Sequence, residues 1–387
     1  MNKPLEIGLI IFFILVIAAG AIWLVVRPAP ETTEPERGIF QRFSSSFFGP
    51  GEEAPAPAEI KIPTEPEKRV LTLLSSEPIA GFAVTKNGVR FVLRQTGHVA
   101  DIGPQGEEQT RISNTTIPKI FQAQDWSPDA SRAILKYFVE GDVRIISAEF
   151  KATSTQAVVL PASLTSLAWA PDRDRIVYLL PSENGSRTVG ADPDNTKQKE
   201  ITGSPFQDWE ISWPEKNTLS YLSRPSGIAL GFLFKYDLEK GIFEKVIGGV
   251  YGLEAGWSPD GQKIIYSAYD AGGQKPKLFF YDVKNKIAGD LETATLASKC
   301  VFAKTKKSVY CAADQNPPQA LYPDEWLRGK VSFVDIFWEI NLETGEKKII
   351  NSEGFFDINR IGISADDKFL YFSNKYDNSL WSLKLAD

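Results

Sequence analysis

Apolar positions fall into two textures along this 387-residue chain. From Ile7 to Val26 they form one run, IGLIIFFILVIAAGAIWLVV, with no charge in it. A helix of about 20 apolar residues crosses roughly 30 Å of hydrocarbon, so the run predicts a single membrane-spanning helix. A cleaved signal peptide is the alternative, and the small residues Ala18 to Ala21 suit one. The run is long for a signal h-region, however, and it continues past them through Ile22 to Val26. From Val70 onward the apolar residues come in short runs bounded by Pro, Gly, Asp and Asn, with no sustained 3.6-residue period. That texture predicts strands throughout. Between the two lies a segment, residues 28–69, rich in Pro, Glu, Ala and Ser. It carries too little apolar surface to offset its ordering entropy and reads as an extended, disordered linker. Within it GIFQRFSSSFFG, Gly38 to Gly49, is read as juxtamembrane stickiness, with an interfacial or partner-binding patch as the alternative.

The strand region repeats itself. DWSPDASRAIL starts at Asp125, AWAPDRDRIVY at Ala168, SWPEKNTLSY at Ser212 and GWSPDGQKIIY at Gly256. Weaker copies start at Gly81, Val301 and Gly362. Their anchors are Phe82, Trp126, Trp169, Trp213, Trp257, Phe302 and Ile363, spaced 43 to 45 residues apart until a final step of 61. A second signature, a strand ending in Asp or Asn before a tight turn, recurs in LFKYDLEKG, LFFYDVKNK and FWEINLETG. Two hairpin signals per period give about four strands per unit, the mark of a β-propeller blade. Seven copies predict an all-β, seven-bladed β-propeller over residues 70–387, with six or eight blades as alternatives. The last copy ends one strand short, and RVLTLLS, Arg69 to Ser75, is expected to supply the missing strand and close the ring. The domain division is thus a cytoplasmic head and membrane helix at 1–27, a linker at 28–69 and a propeller at 70–387.

The pattern W-S-P-D-G-x-x-I-x-Y, complete from Trp257 to Tyr266 and partial at Trp126 and Trp169, resembles the repeat of TolB-type periplasmic β-propellers, distant relatives of WD-repeat proteins. The resemblance implies the fold and a binding platform outside the cytoplasm; it says little about activity. Unlike TolB, this chain is expected to keep a membrane anchor, and no α/β domain is evident before the repeats.

Charge and rare residues narrow the chemistry. With 43 Lys plus Arg against 49 Asp plus Glu, nothing suggests the basic cluster that nucleic acid needs. A single histidine, His98, rules out multi-histidine metal or catalytic centres, and two cysteines rule out a four-cysteine zinc site. No phosphate-cradling glycine loop is present, and no cofactor is implied. GWSPD opens like a nucleophile elbow, but Asp260 stands where the second glycine belongs, and the serine position holds Pro214 and Ala170 in other copies. Ser258 is therefore read as turn chemistry. His98 lacks a recognisable nucleophile to activate, and Asp192 to Asn195 reads as a polar turn rather than a calcium loop.

In KCVFAKTKKSVYCAA a turn near Thr305–Lys306 sets Cys300 opposite Cys311, which predicts a disulfide and an oxidising compartment. Positive charge flanks both ends of the apolar run, so charge alone does not fix its orientation. The disulfide tips it to a cytoplasmic N-terminus with the propeller outside. The sixth copy carries an insertion, AADQNPPQALYPDEWLRGK, with Tyr322, Asp324, Trp326 and Arg328 as a candidate interaction loop. A loop folded back to bury Trp326 is the alternative. The sequence therefore reads as a propeller anchored in the cytoplasmic membrane through Ile7 to Val26. Its expected partner is an unidentified envelope protein, peptide or glycan, with no catalytic residue identified. The competing reading is a propeller hydrolase or lyase whose site is gathered from several blades.

Overall fold

In the computed structural model, residues 70–113, 115–151, 154–269 and 275–385 are described. The expected membrane span, the linker and the Gly38 to Gly49 segment lie outside them. Among the described residues no helix is long and apolar enough to cross a membrane.

Nearly all regular structure is antiparallel strand. β1 (Leu71–Ser75) does not pair with its successor in the chain, and β2 to β5 (Ile79–Thr85, Gly88–Leu93, Val99–Ile102, Thr110–Arg111) form the first meander. β6 to β9 (Ile120–Trp126, Arg132–Val139, Asp142–Lys151, Ser154–Val159) and β10 to β13 (Ser166–Trp169, Ile176–Ser182, Gly185–Ala191, Lys199–Ser204) repeat it. Next comes a seven-stranded sheet, β14 to β20 (Trp209–Glu215, Thr218–Ser223, Leu230–Asp237, Ile242–Trp257, Lys263–Tyr269, Lys277–Asp282, Ile287–Asp290). β21 to β24 (Cys300–Phe302, Ser308–Ala313, Ile336–Asn341, Lys347–Asn351) form another four-stranded sheet. The last, β25 to β27 (Ile358–Ile363, Phe369–Asn374, Leu380–Lys384), takes β1 as its fourth strand. The expected closure by the N-terminal strand is present, with Leu71 opposite Leu383 and Leu73 opposite Trp381. Pairing the two ends of the domain covers the edge that β27 would otherwise leave open.

The seven-stranded sheet arises because β17 serves two units. It pairs with β16 up to Tyr251 and with β18 from there on, and its register with β18 shifts between Tyr251 and Glu254. Gly249 (φ +78°) and Gly252 (φ +62°) supply the left-handed backbone at that change of direction.

Second strands such as Ile176–Leu180 and Ile264–Ala268 are buried on both faces, which is why they read as continuous apolar runs rather than alternations. Their side chains meet those of the neighbouring unit. Ile134 and Ile145 pack with Trp169 and Ile176, Leu222 and Leu233 with Ile264 and Tyr266, and Ile265 and Leu278 with Phe302 and Val309. Leu74, Tyr371 and Leu380 close onto Phe82 and Phe91. The aromatic anchors sit in this packing, and the Trp257 indole donates to Ser220 of the preceding unit (2.8 Å).

Ser258 is a turn residue. Its hydroxyl donates to Asp260 (2.6 Å) and accepts from the Lys263 amide (2.8 Å), while Gly261 takes φ +66°. Ser127 with Asp129 and Ser364 with Asp366 repeat the arrangement (2.6 and 2.7 Å).

Candidate functional site

Antiparallel strands reverse at each step, so connections within a unit alternate between the two ends of the sheet. The serine turns come after first strands and occupy one face. Connections after second and fourth strands share the opposite face, and the residue 314–335 insertion, between β22 and β23, belongs there. So do the 205–208, 224–229, 291–299, 352–357 and 375–379 connections. First strands of successive units are neighbours, β2 to β6 to β10 to β14, and line the inside of the array.

The insertion is not the exposed loop that its composition suggests. Its one helical turn, α1 (Asp324–Leu327), drives Trp326 inward until it is 2% exposed, and Tyr322 is fully buried. Trp326 and Tyr322 are therefore not available as surface contacts, and the physical reason is local. The Trp326 indole N–H donates to both Asp357 carboxylate oxygens (2.9 and 3.0 Å). Two ammonium groups lie near its ring, Lys375 at 4.0 Å and Lys299 at 5.0 Å from the centroid. Lys375 also donates to the Trp326 carbonyl. Tyr322 stacks on Tyr269 and packs against Phe333, with ring centroids 6.4 and 5.1 Å apart. Asp324 is half-buried and accepts the Gly227 amide (2.7 Å), tying the insertion to the 224–229 loop. Of the four residues, Arg328 alone is exposed.

Beneath the insertion sits a charged cluster. The 3₁₀ turn Ala297–Lys299 opens β21 and sends Lys299 inward, where its Nζ lies 2.6 Å from both Asp335 and Asp357. All three side chains have no exposed surface. Asp335 Oδ2 accepts the Ile358 amide (2.7 Å), whereas its Oδ1 has no partner. Burial pushes the Asp335 carboxyl up to about 6 against the pull of the Lys299 charge. Burial lowers Lys375, and the Asp357 charge partly restores it.

The same turn sends Ser298 towards the inside of the array, where its hydroxyl donates to Glu254 Oε2 (2.8 Å). Burial raises the Glu254 carboxyl, and the Ser298 hydrogen bonds partly offset this. One unit earlier stands Glu210, whose carboxyl is pushed up to about 7 by desolvation and then by the Glu254 charge, with Arg224 opposing. Glu210 itself is exposed, whereas Glu254 is buried. The Tyr269 hydroxyl is buried without a partner, and burial and the Glu254 charge raise it far above its ordinary value. Asp125 and Arg360 are half-buried and feel each other's charge.

The connections of this face expose large apolar groups: Ile228 at 75%, Phe355 at 64% and Phe206 at 62%, with Leu327, Val334 and Tyr376 also exposed. The Phe355 and Tyr376 rings stack at 5.3 Å.

The other residues singled out in the sequence have ordinary surroundings. Cys300 and Cys311 are directly opposed and joined in a disulfide. His98 contacts Thr116 (3.2 Å), and burial lowers its imidazole. Its sequence neighbour Asp101 is held instead by Arg90 (2.6 Å). The oxygens of Asp192 to Asn195 are occupied by Arg175, Lys197, Thr196 and Tyr178. Among the described residues no group of three or more His, Cys, Asp or Glu is placed to hold a metal. Sequence reasoning missed Lys299, Asp335, Asp357, Glu210 and Glu254. A signal existed for part of the set: Ser166, Glu210, Glu254 and Ser298 recur at intervals of 44, one repeat period.

Neither a protein-family model nor a curated protein matches the chain in sequence. Among solved structures, an oligogalacturonate lyase in complex with manganese superposes with a TM-score of 0.56 at 12% identity, covering 82% of this chain and 91% of that one. An oligogalacturonate lyase from Vibrio parahaemolyticus gives 0.55 at 7% identity, covering 83% and 92%. TolB from Acinetobacter baumannii gives 0.45 at 13%, covering 78% of this chain and 62% of TolB, so the chain spans less than two thirds of TolB's length. At these identities the likeness concerns fold. The chain has an all-β, propeller-like fold.

Proposed function

We propose that this chain is a seven-bladed propeller that binds a protein, peptide or glycan of the cell envelope on its insertion face. The blade count is supported by seven buried clusters, each joining two consecutive units, with the last joining the final unit to the first. The observation that carries the binding role is the set of exposed apolar side chains, Phe206, Ile228, Phe355 and Tyr376, on the connections of the insertion face. Apolar side chains gathered on one face are the usual makeup of an interaction surface. The Cys300–Cys311 disulfide supports an oxidising compartment, and hence a propeller outside a cytoplasmic membrane in which Ile7 to Val26 is the anchor. Capture of envelope components by the full chain, compared with an Ile228→Ser/Phe355→Ser variant, tests the role. Both side chains are exposed, so the variant folds, and an unchanged partner set would sink the proposal.

A second reading, a hydrolase or lyase, is favoured by Glu210. A carboxyl held near 7 beside a second carboxylate is suited to general acid or base work. Turnover of an envelope polysaccharide that is lost in Glu210→Gln would support it, and binding without turnover would not.

A further inference from the structure

We propose that Lys299 and Asp335 are joined by an autocatalytic intramolecular isopeptide bond, with Asp357 as the proton carrier. Three observations point to it. First, an amine and two carboxyl groups meet at 2.6 Å with no exposed surface, so the reacting groups are held together and bulk water is absent. Such positioning replaces a bimolecular encounter by a unimolecular one. Second, the walls are aromatic: the Lys299 Nζ lies 4.1 Å from the Phe333 centroid and 5.0 Å from that of Trp326. Charges in such a setting carry a large desolvation penalty, and condensation removes one of each sign.

Third, the two carboxyl groups are bonded differently, and the difference assigns their roles. Asp335 Oδ2 accepts the Ile358 amide (2.7 Å), and Oδ1 has no partner. Asp357 accepts the Trp326 indole on both oxygens and feels the charge of Lys375, whose Nζ lies 4.0 Å from the centroid of that ring. Asp335, with one unpartnered oxygen, is therefore the carboxyl open to attack, and Asp357, bonded on both oxygens, takes the role of proton carrier. Burial raises the Asp335 carboxyl to about 6, which favours its holding a proton.

The step balances without an oxidant or co-reactant. Proton transfer within the cluster gives a neutral Lys299 amine and a protonated Asp335. The Nζ lone pair attacks Asp335 Cγ, and the amine proton passes to Asp357. The tetrahedral intermediate keeps Oδ2 on the Ile358 N–H, which stabilises the developing oxyanion. The Cγ–Oδ1 bond then breaks, and Asp357 returns the proton so that the unpartnered oxygen leaves as water. An amide remains, Oδ2 keeps its hydrogen bond, and Asp357 is left ionised beside Trp326 and Lys375. The bond ties β21 to β23 beneath the insertion.

Peptide mapping of the full chain, reduced, denatured and digested with trypsin, tests this. Trypsin cannot cut after an acylated Lys299, so residues 287–304 emerge as one peptide. The expected result is that peptide joined to residues 331–347, lighter than the pair by one water, about 18 Da. Lys299→Arg and Asp357→Asn are expected to yield separate peptides. Asp335→Asn is expected to give the same branched product, with ammonia as the leaving group. Separate peptides from the wild-type chain would overturn the proposal, whatever the variants do. A branch to residues 349–360, which contain Asp357, would overturn the assignment of Asp335 as the acylated residue.

Discussion

Replacing Trp326 by alanine separates a buried anchor from a surface contact. The side chain is 2% exposed and packs with Tyr269, Leu296, Tyr322 and Phe333. Truncating a buried aromatic residue to alanine costs about 3–5 kcal/mol. The substitution also removes the indole donor from a buried Asp357, and a hydrogen bond to a charged group contributes about 1.5–3 kcal/mol. Neighbouring losses do not add fully, so we expect about 4–6 kcal/mol, a large share of the ~5–15 kcal/mol that holds a domain folded. At about 2 °C per kcal/mol for a domain of this size, the melting temperature falls by roughly 8–12 °C. Thermal unfolding followed by far-UV circular dichroism measures this. Trp326→Phe keeps most of the ring and loses only the donor, so it belongs about 3–6 °C below wild type. A Trp326→Ala melt within about 2 °C of wild type would refute the buried position and return Trp326 to the surface.

Deleting residues 70–75 removes β1 and the buried Leu74, leaving β27 as an open edge; a melt at least about 5 °C lower is expected, and an unchanged one excludes closure by this strand. Replacing Cys300 and Cys311 by serine reopens a link between residues 11 apart, which the chain-entropy account values at about 2–3 kcal/mol in chemical denaturation. The unfolded chain releases the Glu210 proton near 4.5, whereas the folded state holds it to about 7. The folded state thus binds more protons in that window, and the contribution of Glu210 is lost as pH rises through it. Glu210→Gln therefore melts above wild type at pH 8, and the gap narrows by pH 5. A gap independent of pH would show that Glu210 does not titrate there.

Each feature legible in the sequence was written in residues close together. The strands, the 43-to-45-residue period and the serine turns arise from side-chain alternation, branching and backbone preference over a few positions. The Cys300 and Cys311 pairing comes from the register of one hairpin, which a short turn fixes. Closure by β1 was legible too, because the last repeat lacked one strand and one strand lacked a repeat.

Tertiary structure decided where the insertion went and what lies beneath it. Composition gave Trp326, Asp324 and Arg328 the look of a binding loop, but whether an indole faces water depends on what waits on the other side. Here that is Asp357, Lys299 and Lys375, brought in from three separate connections. Lys299 lies 36 residues from Asp335 and 58 from Asp357, and neither distance is a repeat period. No local rule joins them; they meet because successive sheets pack face to face and the insertion covers their shared end. The Glu210, Glu254 and Ser298 line is the intermediate case. Its 44-residue spacing was visible in the chain, but the burial of Glu254 and the raised carboxyl groups of Glu210 and Glu254 exist only once neighbouring first strands stand side by side.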